Sequence, residues 1–118
     1  MKVATPKEIT DFLKNFKKTA QNKFELIPRK LNLDFISHLG ITIRQAKNMI
    51  MQLTYENYYN GPEKDRDRQK GNIWEFGADI DNEGVYIKLS DDLSSNIAKC
   101  LSFHKPEFKI TYPYRKGG

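Results

Sequence analysis

The chain contains few of the side chains that build metal centres and disulfide scaffolds. Its 118 residues include one cysteine, Cys100, and two histidines, His38 and His104. A lone cysteine cannot form an internal disulfide, and a structural zinc site of the Cys/His type needs about four such ligands. We therefore expect neither a disulfide framework nor a bound metal or other cofactor, and we expect Cys100 to be a buried, unreactive thiol.

Long apolar runs are also absent. No stretch approaches the roughly 20 apolar residues that a membrane-spanning helix needs, and no apolar signal segment follows Met1. Together with the lone cysteine, these absences favour a cytoplasmic protein without a membrane partner. Repeats and low-complexity segments are missing too, so we expect a single domain over residues 1–118.

Positive charge and aromatic side chains are plentiful. The formal net charge is +5, and 12% of the residues are aromatic, which is enough for much of a small core. The charge is uneven, because residues 1–53 carry +6, residues 54–92 carry −5 and residues 93–118 carry +4. Basic proteins often bind polyanions, although a solvated basic surface explains the charge equally well.

The first half of the chain has the apolar period of helices. Two capping boxes, Thr5 with Glu8 and Thr42 with Gln45, predict where two helices begin. A further helix is predicted between them, over about residues 28–39. We expect His38, near its end, to lie far from any reactive group formed by the second half.

The second half alternates with a period of two, which predicts strands. Residues 61–71 are polar and charged and are predicted to be a loop. Strands are expected at about 72–80, 84–89 and 97–104, with a weaker one at 108–114 that Pro113 interrupts. The order indicates an α+β domain, with helices over about 5–60 on one face of an antiparallel sheet of at least three or four strands over about 72–114.

Strand parity predicts that one face of this sheet carries reactive groups. The large apolar side chains fall on the other face, which we expect to pack against the helices. The open face is predicted to bring together Glu75, Tyr86, Lys88, Ser102 and His104. The same parity places Ala98 and Cys100 beside His104. Because many antiparallel sheets simply have a solvated polar face, parity leaves open whether this face is chemical or structural.

RNA cleavage through the ribose 2′-hydroxyl requires such a set of groups. A base takes the proton of the 2′-hydroxyl, an acid protonates the leaving 5′-oxygen, and positive charge stabilises the phosphorane. Glu75 is our candidate base, and His104 is the candidate acid because histidine exchanges protons near neutral pH. Lys88 would stabilise the charge, and Tyr86 would orient the phosphate or stack on a base.

Arg66 and Arg68 in the charged loop are candidates for binding the RNA backbone. Asp65 and Asp67 alternate with them, so an exposed loop of paired charges explains the same segment. The sequence leaves both interpretations open.

Several segments resemble the MqsR-family toxins of type II toxin–antitoxin systems. They are Leu-Gly-Ile at 39–41, Tyr-Tyr-Asn-Gly-Pro at 58–62, Asp-Arg-Asp-Arg at 65–68, Ile-Trp-Glu-Phe-Gly at 73–77, Val-Tyr-Ile-Lys-Leu at 85–89 and Cys-Leu-Ser-Phe-His at 100–104. The likeness rests on their order and spacing and covers about residues 31–108. It implies a RelE-like fold, mRNA cleavage on the sheet face, and an antitoxin protein, expected to carry a DNA-binding helix–turn–helix domain.

Carried over by position, the resemblance assigns family roles to individual residues. The active-site Gln of the family corresponds to Glu75, the strand Tyr to Tyr86, and the late Lys to His104, with Lys105 beside it. The central Lys of the family corresponds to Asn60, so a cation is missing there. The resemblance then implies that a nearby cation binds the RNA instead, from the set Lys64, Arg66 and Arg68.

Two other functions stay open. Residues 31–53 could form a DNA-binding helix–turn–helix, with Arg44, Gln45, Lys47 and Asn48 facing a major groove. A helical hairpin that covers the sheet explains the same pattern. A non-catalytic inhibitor that acts by protein interaction is the third reading, and shortening of RNA would distinguish the enzyme from both.

Overall fold

The computed structural model describes residues 3–66 and 70–115. In these residues the helices are α1 (Pro6–Asn22), α2 (Lys30–Leu39) and α3 (Ile43–Ile50), followed by a 3₁₀ turn at Tyr55–Asn57. The strands are β1 (Phe24–Leu26), β2 (Tyr58–Lys64), β3 (Asn72–Ile80), β4 (Glu83–Ser90) and β5 (Ala98–His104). Across the same residues, every helix is too short or too polar to cross a membrane.

The strands of the described ranges form one five-stranded sheet in the order β1-β5-β4-β3-β2. Strands β2 to β5 pair antiparallel, whereas β1 pairs parallel with β5. The predicted α+β class is confirmed, but the expectation of an entirely antiparallel sheet is wrong. Because β5 lies between β1 and β4, the last strand joins the N-terminal part of the chain to the rest of the sheet.

Both capping boxes form as predicted. The Thr5 and Thr42 side chains accept hydrogen bonds from the third helical residue, whose side chain binds back to the capping residue. Gly40 ends α2 with a φ of 68°, in the left-handed region that favours glycine. Local capping chemistry thus fixes the ends of these helices.

The predictions for residues 58–64 and 108–114 are wrong. Tyr58–Lys64 is the edge strand β2, although its register with β3 shifts between Tyr58 and Asn60 and again between Asn60 and Glu63. Residues 108–114 form no strand and instead pass over the sheet. The division into a helical part and a later sheet therefore fails, because β1 and part of β2 belong to the first half.

The core lies between the helices and one face of the sheet. Phe12 of α1 stacks on Trp74 of β3 with ring centroids 4.5 Å apart. Phe35 of α2 packs against Phe103 of β5 at 6.3 Å. Since α2 and α3 bury apolar side chains in this core, their packing is that of a helical hairpin covering the sheet.

A β-bulge at Leu101 changes the parity of β5. Leu89 pairs with Cys100 but Lys88 pairs with Ser102, so Leu101 is the extra residue. Cys100, like Ala98, therefore belongs to the core cluster, and the prediction that both lie beside His104 is wrong. The predicted burial of the Cys100 thiol is confirmed, and burial raises its pKa.

The buried side chain of Asn32 holds this bulge in place. Its amide nitrogen donates to the carbonyl oxygens of Leu101, at 3.1 Å, and Ile27, at 2.9 Å. Its oxygen accepts from the backbone N–H of Phe103 at 3.0 Å. Asn32 thus satisfies the backbone groups that the bulge leaves without a ladder partner, and it sets the face on which His104 lies.

Candidate active site

The face opposite the helices brings the predicted reactive side chains together. Glu75, Lys88 and Ser102 are cross-strand partners on β3, β4 and β5. Tyr86 and His104 are partners in the neighbouring row. Parity therefore predicted this group correctly, including the two residues that follow the bulge.

Glu75 and Tyr86 form the buried centre of the group. The Tyr86 hydroxyl donates to Oε2 of Glu75 at 2.7 Å, and the residues are 8% and 9% exposed. Burial, reinforced by the hydrogen bond to Glu75, raises the pKa of Tyr86 well above its ordinary value. Tyr86 is therefore a protonated donor at neutral pH, suited to orienting an oxygen and unsuited to acting as a base.

Asn60 on β2 holds the other oxygen of the Glu75 carboxylate. Its Nδ2 donates to Oε1 of Glu75 at 3.2 Å and to Oε1 of Glu63 at 2.7 Å. Each Glu75 oxygen thus accepts one hydrogen bond, which fixes the orientation of the carboxylate. The structure places Asn60 as a positioning residue for Glu75, whereas the sequence predicted it as an RNA-binding position.

His104 lies next to Tyr86 at the end of β5, with ring centroids 5.5 Å apart. Its Nδ1 is 2.9 Å from the backbone oxygen of Lys105. Because a carbonyl oxygen only accepts, Nδ1 carries a proton and donates it. Nε2 is then the nitrogen that exchanges a proton with a ligand.

A cavity of about 260 Å³, the anion cavity, opens beside this group. Its basic lining residues are Arg29, Lys88 and His104. No described residue forms an ion pair with the side chains of Arg29 or Lys88. Three basic groups around one small cavity suit an anion such as a phosphodiester.

Arg29 is the site residue that sequence reasoning missed. It is the N-cap residue of α2, which lies beside β5. In the sequence it is one of many basic residues, and its only local signal is that it follows Pro28 just before a helix. Its position at the cavity comes from the packing of α2 on β5, which strand parity does not reveal.

The remaining predicted RNA-binding residues lie around this group rather than in it. Lys64 is exposed and pairs with Asn72 at the start of β3, and Arg66 is exposed in the turn that follows β2. Arg68 lies outside the described residues. Lys105 is exposed and lines a different cavity from Lys88.

His38 lies closer to His104 than the sequence indicates. Both residues line a second cavity of about 530 Å³, the large cavity, between α2 and residues 104–107. His38 Nε2 is 2.9 Å from Oε1 of Glu83 at the start of β4. The expectation that His38 is remote is wrong, because α2 packs along β5.

Residues 105–115 cross the open face instead of leaving it bare. Phe108 packs against Tyr59 and Tyr86, with ring centroids 5.4 and 5.8 Å apart. Tyr112 lies so close over Gly77 that a Cβ there would collide with its hydroxyl. The reactive group is therefore reached through the cavities beside His104 and not from above the sheet.

Within residues 3–66 and 70–115, no three His, Cys, Asp or Glu side chains cluster closely enough to hold a metal ion. Comparison with protein-family models, with curated proteins and with solved structures finds no match for this chain. The function is therefore inferred from the chemistry of the site and from the resemblance of the sequence segments.

Proposed function

We propose that the chain is an endoribonuclease that cleaves mRNA by attack of the ribose 2′-hydroxyl and serves as the toxin of a toxin–antitoxin system. The observation that carries the enzymatic part is that Tyr86 and His104 line the anion cavity together, and that Tyr86 is hydrogen-bonded to Glu75 behind it. The MqsR-family resemblance supports the toxin role and the antitoxin partner. An α+β fold with helices on one face of the sheet is compatible with the RelE-like fold that the resemblance implies.

In this proposal the scissile phosphate binds in the anion cavity. Glu75 takes the proton of the 2′-hydroxyl, the 2′-oxygen attacks phosphorus, and the bond from phosphorus to the 5′-oxygen breaks. Nε2 of His104 donates the proton that the 5′-oxygen acquires, while Lys88 stabilises the charge on the phosphorane. The products are a 2′,3′-cyclic phosphate and a 5′-hydroxyl.

Arg29 supplies the cation that Asn60 does not. Its side chain reaches the anion cavity with Lys88, and a guanidinium binds phosphate oxygens in pairs. Lys64, Arg66 and Lys105 then bind RNA further from the scissile bond, and Arg68 stays a candidate for binding RNA.

The decisive experiment follows the ends of RNA fragments produced by the purified chain. We expect cleavage in EDTA, because a two-metal site needs several carboxylates close together and no three His, Cys, Asp or Glu side chains of the described residues form such a cluster. We also expect that a 2′-deoxy nucleotide at the cut site blocks the reaction. Undiminished cleavage of that substrate contradicts attack by the 2′-oxygen, and activity that EDTA abolishes and magnesium restores contradicts the metal-independent mechanism.

The same preparation tests the alternatives. A shifted DNA duplex with intact RNA would favour the helix–turn–helix over residues 31–53. Arg44, Gln45 and Asn48 of α3 are exposed and are therefore accessible to the major groove of DNA. Intact RNA and unshifted DNA would favour the protein-interaction inhibitor.

A further inference from the structure

We propose that the large cavity is a subsite for an amino-bearing nucleobase of the substrate, next to the scissile phosphate. The inference rests on the proposed ribonuclease function and adds a specificity element to it. The observation behind it is that His104 lines both cavities.

The two cavities adjoin at His104. His104 and Glu107 line both of them. A nucleotide whose phosphate lies in the anion cavity therefore has its neighbouring base within reach of the large cavity. At about 530 Å³ against about 260 Å³, the large cavity is the roomier of the two.

Charge distinguishes the two cavities. The anion cavity has Arg29 and Lys88 against one carboxylate, that of Glu107, whereas the large cavity has the carboxylates of Asp34, Glu83 and Glu107 against one lysine, Lys105. Carboxylates repel a phosphate but accept hydrogen bonds from a neutral base. The cavity richer in carboxylates is thus better suited to the uncharged part of the same nucleotide.

Apolar side chains provide surfaces for the faces of a base. Leu31, Phe35 and Pro106 line the large cavity, and Leu31 is 60% exposed although it is a large apolar residue. A planar base inserted between α2 and residues 104–107 would cover Leu31. Bases stack on apolar and aromatic surfaces of this kind in single-stranded RNA recognition.

Glu83 is the residue we infer to read the base. His38 holds its Oε1 at 2.9 Å, and Oε2 forms no hydrogen bond with a described residue. An exocyclic amino group, present on adenine, cytosine and guanine, donates to such an oxygen. Uracil has a carbonyl oxygen where cytosine has its amino group, and hypoxanthine has only a C–H where guanine has its 2-amino group, so neither base donates to the carboxylate from that position.

The test measures binding without cleavage, using 2′-O-methyl pentanucleotides that differ only in the central base. Guanine is compared with hypoxanthine and cytosine with uracil, by fluorescence anisotropy at one salt concentration. We expect the amino-bearing member of each pair to bind about 10- to 100-fold tighter, as for a hydrogen bond to a charged group. Glu83→Gln should reduce this ratio to about threefold or less, while Glu25→Gln, the same change on exposed β1, should leave it unaltered.

Equal affinity within both pairs, no binding of any oligonucleotide, or full discrimination by folded Glu83→Gln would overturn the subsite. Should Glu83→Gln not fold, His38→Gln provides the second variant, because it releases Glu83 without removing the carboxylate, and it should weaken discrimination. Cleavage is read separately. An absence of RNA cleavage refutes the ribonuclease proposal, whereas the binding ratios alone decide the subsite.

Discussion

At the scale of single residues, the proposed roles of the side chains on the sheet face follow from which of their polar atoms already form hydrogen bonds and which are left for a ligand. Hydrogen bonds from Tyr86 and Asn60 hold both oxygens of Glu75. The Nδ1–H of His104 is held by a backbone carbonyl, which leaves Nε2 for the substrate. A fixed carboxylate and an imidazole with one available nitrogen form a base and an acid that need little reorganisation during reaction.

Replacing His104 tests the acid. His104→Ala should lower RNA cleavage by about 10²- to 10⁴-fold, which is the usual contribution of a positioned proton donor. The fold should survive, since His104 is half-buried at the end of a strand. Kinetics and circular dichroism measure the two effects.

The matched surface control is Lys18→Ala on the exposed side of α1, which should cut at the parent rate. His38→Ala is unsuitable as a control because His38 lines the large cavity. If folded His104→Ala cuts like the parent, then Lys105 or Lys88 becomes the next candidate acid.

Replacing Tyr86 tests the buried pair through stability. Tyr86→Phe leaves Oε2 of Glu75 without its donor and should lower the free energy of unfolding by about 1–3 kcal/mol at neutral pH. The raised pKa of Tyr86 also makes wild-type stability pH-dependent: above the ordinary tyrosine pKa of 10.0 the unfolded chain loses the phenolic proton while the folded chain keeps it. The contribution of Tyr86 to the free energy of unfolding is therefore fully present below about pH 10, and it falls as the pH rises above that value.

Urea denaturation at pH 7, 9 and 11 measures this dependence. The alkaline loss should be smaller in Tyr86→Phe than in wild type. Tyr59→Phe provides the control, because its hydroxyl lies on the same face and forms no hydrogen bond with a described residue. An identical alkaline loss in wild type and Tyr86→Phe would show that Tyr86 ionises in the folded protein as it does in the unfolded chain.

At the scale of secondary-structure elements, prediction succeeded where the signal is local and failed where it is tertiary. Neighbouring residues determine the capping boxes of α1 and α3 and the alternation of β3 and β4. They do not reveal the bulge at Leu101, because Cys100 and Leu101 are both apolar and either could face the core. The three-residue strand β1 shows no period at all, and its parallel partner is distant in sequence.

Asn32 is the side chain that decides the parity of β5, so its loss should act on both stability and the site. Asn32→Ala leaves buried backbone groups of the bulge without partners and should cost about 3 kcal/mol of unfolding free energy. Cleavage should fall as well, since the bulge places His104. Asn48→Ala, an exposed asparagine on α3, should change stability by less than about 0.5 kcal/mol. Equal stability of the two variants would contradict this stabilising role of the Asn32 hydrogen bonds.

At the scale of the whole molecule, the basic surplus of residues 1–53 is brought to the site through Arg29. The sequence locates the surplus but not the residue that uses it, because Arg29 and Lys88 come from distant segments. The acidic middle segment meanwhile contributes Glu75 to the sheet face and Glu83 to the large cavity. In the proposed function, the net charge attracts RNA in general, and the packing of α2 on β5 determines where the phosphate would bind.

The salt dependence of RNA binding should reveal the phosphate contact that we propose for Arg29. Binding of single-stranded RNA weakens with salt, and each neutralised phosphate contributes about 0.7 to the slope of log K against log salt. Arg29→Gln should reduce the slope by about that amount, whereas Arg44→Gln on α3 should not. A reduced slope for Arg44→Gln alone would favour the helix–turn–helix surface instead.

The toxin role makes a prediction about cells. Expression of the chain should arrest growth. Co-expression of the neighbouring antitoxin gene should restore growth, because a protein bound over the anion cavity excludes RNA. His104→Ala, expressed at the same level, should be harmless. Normal growth with abundant folded wild-type protein would contradict the toxin assignment.

The position of β5 in the sheet has a consequence during synthesis of the chain. Among the described strands it is translated after the other four, yet it lies between β1, the first of them, and β4. A nascent chain can form α1 and the β3–β4 hairpin early, but nothing joins β1 to that hairpin until β5 has left the ribosome. The strand that closes the sheet also carries Ser102 and His104. A nascent chain in which β5 has not yet emerged therefore has neither a closed sheet nor His104. If the proposed function holds, the ribosome that makes this protein meets no active nuclease before β5 is released.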